Sequence, residues 1–242
     1  MNREIVNEQQ AQAIVDGVLQ GYKDYLEIRR QKKEELKVSA SYAFVKGNHI
    51  DDAVSRKLTG LIEKDQLAKA GESWEYLQFA FGRKDNKCLF IVKNILRLKR
   101  TFQSSHKKSQ YLVDLAKVNN PWIQELRQGR VKKEGVSIQL QFLDFEKWEQ
   151  TEEIRERNFS EFYIVTYETD SYTKEIINVE IVAPDAETGE LHSVQKLSSY
   201  LQSSDVIIQE NEYESISGEV EFGSVEDYGY TTLPEEGEEI GN

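Results

Sequence analysis

The 242-residue sequence has one cysteine, three prolines and three histidines. A lone Cys88 excludes an intramolecular disulfide framework and any cysteine-pair zinc site, and it reads as a small buried hydrophobe. Together with an N-terminus that lacks a signal-peptide pattern, this points to a reducing, cytoplasmic setting. The longest apolar run, residues 88–92, is far shorter than the roughly twenty residues a bilayer span needs, so no membrane partner is expected. His49, His106 and His192 stand outside any motif. A phosphate loop, a dinucleotide glycine fingerprint, a helical His-Glu-x-x-His and a Gly-x-Ser-x-Gly elbow are all missing. No cofactor, metal site or catalytic residue is implied.

What the sequence does have is an uneven charge distribution inside a net charge of -12. Residues 1–82 are nearly neutral, with 12 basic and 13 acidic residues. Residues 83–133 carry 14 basic and 3 acidic residues, whereas residues 144–242 carry 5 basic and 26 acidic. A basic centre is followed by an acidic final third.

The clearest structural signal is a pair of apolar runs, residues 74–81 and 88–94, joined by a polar turn. Alternation places Leu77, Phe79 and Phe81 opposite Trp74, Tyr76 and Ala80, and Cys88, Phe90 and Val92 opposite Leu89 and Ile91. With both faces apolar, this hairpin belongs in the middle of a sheet that is covered on both sides. Ile14, Val15, Val18, Leu19, Tyr22, Tyr25 and Leu26 fall at helical spacing and predict a long amphipathic helix. Its polar end, Arg29 to Lys33, reads as a solvated face. Residues 41–45 read as a short strand, followed by a turn and a helix capped by Asn48. Helices are expected around Ile95 to Phe102, around Tyr111 to Val118, and from Asn120 with Pro121 at its first position and Gly129 at its end.

Residues 136–142 alternate as a flanking strand, and residues 162–167 and 176–182 read as a second hairpin. A short helix is expected over residues 193–202. The fold class is therefore α+β: an antiparallel sheet of five to six strands with packed helices over residues 1–205. Residues 206–242, rich in Glu, Gly, Ser and Tyr, are expected to form a disordered acidic tail.

The charge pattern supplies the functional expectation. Arg97, Lys99, Arg100, Lys107, Lys108, Arg130, Lys132 and Lys133, with Trp122 as a stacking group, are candidates for binding nucleic acid or another polyanion. The acidic tail would act as an internal competitor. Lys46, Gly47, Asn48 and His49, at a helix start, form a candidate anion site. In an alternative reading the acidic third binds a basic protein partner, in the manner of an inhibitor or antitoxin of a nucleic-acid-handling enzyme. A further alternative is a metal-dependent nuclease or other hydrolase using Glu168, Asp170, Glu180 and Asp185 with Lys196.

Overall fold

The computed structural model describes residues 4–70, 74–83, 86–103, 110–127 and 159–217. The apolar stripe from Ile14 to Leu26 is buried on one long helix, α1 (Glu8–Glu35). Asn7 and Gln10 form a reciprocal capping box at its start, which satisfies amide groups that the helix itself cannot. At its basic end Arg29 is buried, while Arg30 and Lys33 remain exposed.

A 3-10 helix over Ala40–Val45 occupies the place of the expected strand and runs directly into α2 (Lys46–Leu58). Asn48 is therefore inside the helix, and no side chain caps the helix start. Alternation across five residues is compatible with either structure, and here packing on α1 decides the outcome.

Among the described residues six strands form one sheet in sequence order: β1 (Lys64–Ala70), β2 (Trp74–Arg83), β3 (Asn86–Asn94), β4 (Glu161–Thr169), β5 (Ile176–Pro184) and β6 (Leu191–Lys196). Both expected hairpins are present, and the expected facing of the apolar residues holds. Four of the strand pairings are antiparallel. The β3–β4 pairing is parallel, so the sheet is mixed rather than antiparallel throughout. Alternation specifies faces but not strand direction, and the more than sixty residues between β3 and β4 are enough for β4 to enter from the same end.

Among the described strands the polar β1 lies at an edge, with Leu67 55% exposed and Lys64 and Lys69 on the same strand. The expected helix over 193–202 is instead β6 followed by a 3-10 turn at Ser198–Leu201. Val194 and Leu197 are buried as expected, because a strand running into a turn also brings them to the core.

Helices α1 and α2 cover the sheet face that carries Phe79, Phe90, Tyr163, Val165 and Ile181. The other face, carrying Tyr76, Leu89, Ile91, Phe162 and Ile164, is covered by α3 (Ile95–Gln103) and α4 (Gln110–Ala116). A 3-10 turn at Lys117–Asn119 leads into α5 (Asn120–Arg127), so Asn120 is helical rather than a cap. Asn119 takes the anchoring role, donating to the Phe162 carbonyl and accepting from the Phe162 amide and the Trp122 indole.

The fold does not end at residue 205. A 3-10 helix at Glu210–Ile216 lies on α1, burying Ile216, and the Ser215 hydroxyl donates to the Leu26 carbonyl. Tyr213 and Ile216 supply apolar surface inside an acidic stretch, which moves the boundary past them. The expected strand over 136–142, Gly129 and the tail from 218 onward lie outside the described residues. No described helix is long and apolar enough to cross a membrane.

Candidate anion-binding recess

The central hairpin is only partly zipped. β2 pairs with β3 from Phe79 opposite Phe90 to Arg83 opposite Asn86, yet β2 reaches back to Trp74 and β3 runs on to Asn94. Beyond Phe79 the two strands part, and among the described residues β2 keeps only β1 as its ladder partner. Asp51, on α2, enters the opening and accepts a hydrogen bond from the Leu77 amide at 3.0 Å, so a side chain takes over a bond that a neighbouring strand would otherwise make.

A recess of about 210 Å³ occupies this opening. Asn94 and Tyr167, the paired residues near the carboxyl ends of parallel strands β3 and β4, both line it. Such strand ends are where ligands collect in sheets with parallel neighbours.

Three cations from three elements line the recess: Lys46 of α2, Lys93 of β3 and Arg97 of α3. Lys46 is 6% exposed and sits between the recess and α1, with its ammonium 5.7 Å from the Tyr22 ring centre and 5.9 Å from that of Tyr25. Arg97 is placed by the start of α3, where Asn94 Oδ1 accepts from the Leu96 and Arg97 amides at 2.9 and 3.1 Å.

Lys93 is the least accommodated of the three. Its ammonium lies 5.1 Å from the centre of the Tyr76 ring, and among the described residues it has no hydrogen-bond acceptor or ion-pair partner. Burial holds it below the ordinary lysine range, and the nearby Asp51 charge opposes that shift. Burial likewise pushes Asp51 up to about 6, against the opposing pull of Lys93 and the Leu77 amide. Tyr76 and Tyr111, with ring centres 5.0 Å apart, add an aromatic wall.

The recess brings together two groups of residues that the sequence left apart. Lys46, Gly47 and Asn48 of the expected helix-start site line it, and so does Arg97 of the basic segment. His49 is not among the lining residues; burial lowers its pKa, while Asp24 and Asp52 act in the opposite direction. Lys99 is exposed on α3, and the side chain of Arg100 is not described. Lys107, Lys108, Arg130, Lys132 and Lys133 lie outside the described residues.

Trp122 does not offer a stacking face. It is 6% exposed, and its indole N–H points to Asn119 Oδ1. Lys93 was legible in principle, as a lone charge interrupting the apolar face shared by Leu89 and Ile91.

Three of the four carboxylates of the hydrolase alternative are engaged in structural tasks. Asp185 is fully buried and takes hydrogen bonds from Arg127 and from the Glu187 and Thr188 amides. Burial alone would raise its pKa, but these donors outweigh burial and hold it below the usual carboxylate range. Asp170 accepts from the Tyr172 and Thr173 amides in the β4–β5 turn, and Glu180 accepts from the Ser193 hydroxyl. Among the described residues no group of three or more His, Cys, Asp or Glu side chains could hold a metal.

Fold and recess together define a mixed-sheet α+β protein with a cation-lined opening inside its central hairpin. No family model, curated protein or solved structure matches the chain.

Proposed function

We propose that this is a non-enzymatic binding protein for a phosphate-bearing anion, with nucleic acid as the polyanionic form, and that the recess between α2, α3 and the parted strands holds one anionic group. The observation that carries this reading is Lys93: an ammonium facing a recess without an acceptor from the described residues, with Arg97 and Lys46 alongside it. An anionic oxygen would supply the charge-assisted hydrogen bond that the described residues do not. Exposed Lys99 adds positive charge on α3. Association should then be salt-sensitive, because part of the attraction comes from exposed charge.

The test is fluorescence anisotropy of short labelled RNA and DNA strands over a salt series, using the wild-type protein and Arg97→Ala. Binding at low salt that weakens about tenfold or more in the variant supports the reading. If no strand binds even at low salt, the nucleic-acid form is wrong.

A further inference from the structure

The recess presents an acceptor as well as cations. Asp51 Oδ2 is used by the Leu77 amide, while Oδ1 receives no hydrogen bond from the described residues. A carboxylate among three cations weakens the hold on a bare anion, since it repels what they attract. It fits a ligand whose anionic group stands beside hydrogen-bond donors.

Size points the same way. A cavity of about 150 Å³ holds a benzene, and this recess, at about 210 Å³, is larger than a lone phosphate would fill. Apolar and aromatic walls from Phe44, Leu98, Tyr111 and Leu112 face the remaining space.

Building on the anion-binding reading, we propose that the ligand is a phosphorylated sugar, as in a ribonucleotide. Its phosphate meets Lys93 and Arg97, and its sugar hydroxyls donate to Asp51. The shared chemistry can come from a free nucleotide or from the phosphorylated end of an RNA strand.

The experiment is calorimetric titration of the full chain and of Asp51→Asn, which keeps an oxygen for the Leu77 amide but removes the charge. The probes are inorganic phosphate, AMP, 2′,3′-dideoxy-AMP, and a short RNA with and without a 5′-phosphate. The wild type is expected to bind AMP about tenfold or more tighter than the dideoxy analogue, as the loss of hydrogen bonds to a charged acceptor implies. In Asp51→Asn the two nucleotides should converge, while inorganic phosphate binds as well as before or better.

Equal wild-type affinity for AMP and its dideoxy analogue overturns the sugar assignment and leaves anion binding standing. An Asp51→Asn variant that weakens phosphate and AMP alike overturns it too, because Asp51 would then be acting on the fold of the recess. If inorganic phosphate, nucleotides and RNA all fail to bind, both readings fall. Tighter binding of the 5′-phosphorylated RNA than of AMP identifies the strand end as the source, and the reverse order identifies the free nucleotide.

Discussion

Asp51 carries a role that the sequence showed only as an acidic residue near a helix start. Burial pushes its carboxyl up to about 6 in the folded chain from the ordinary aspartate value of 3.8, so between these values the native state holds a proton that the unfolded chain has released. Stability contributed by this group is therefore fully present below about pH 4 and is lost as pH rises through about 6, a swing on the order of 3 kcal/mol. Asp51→Asn cannot titrate. Urea unfolding at pH 4.5 and pH 8 should show the variant gaining on the wild type at the higher pH; a difference independent of pH would contradict the assignment. Lys93 was equally legible and equally easy to pass over. A single lysine on an apolar strand face looks like a strand end until the parting of β2 and β3 gives it a recess to face, and at that parting Asp51 arrives from another element to accept from the Leu77 amide.

At the scale of elements, the sequence carried the two hairpins, α1, and the two-sided cover of the central strands, because each rests on a repeating apolar pattern. Strand direction, the 3-10 stretch before α2 and the strand β6 were not legible, since short segments satisfy more than one period. The α1–α2 contact depends on glycine for a reason visible only in the packing. A Cβ added at Gly21 would lie 2.4 Å from Ile50 Cα and 2.5 Å from the His49 carbonyl oxygen, both backbone atoms that cannot swing aside. Gly21→Ala is expected to cost about 1–3 kcal/mol or more in chemical denaturation. Gly47→Ala, with nothing within 4 Å of the new methyl, should instead gain a fraction of a kcal/mol up to about 1. Similar effects at the two sites would mean that the close approach of the helices is not what Gly21 serves. At the far end of the sheet, Asn119 bonds the Phe162 amide and carbonyl, with the Pro184 carbonyl and the Trp122 indole within reach. Asn119→Leu should destabilise by about 2–4 kcal/mol, because it strands buried backbone groups without partners.

For the whole molecule, the basic centre and acidic end were the strongest sequence signals, and of the two candidate side chains described in the basic centre besides Trp122, Arg97 lines the recess and Lys99 does not. Residues 218–242 carry eight acidic residues and no basic one. If they compete with the ligand, ending the chain at Ser217 should strengthen polyanion binding at low salt, and the gain should shrink as the Debye length falls to about 8 Å. Ending it at Gln209 would also strip Tyr213, Ser215 and Ile216 from α1 and confuse competition with unfolding. The central claim is that Lys93 is held in the recess for a ligand rather than for the fold. The most direct measurement is calorimetric titration of full-length wild type and Lys93→Met with inorganic phosphate and a 5′-phosphorylated RNA, alongside urea unfolding of both proteins. A largely buried ammonium without a hydrogen-bond acceptor from the described residues costs the fold and serves binding, so the variant should match or exceed the wild type in stability while its affinity falls about tenfold or more. Unchanged affinity for both ligands, or a large loss of stability, would contradict it.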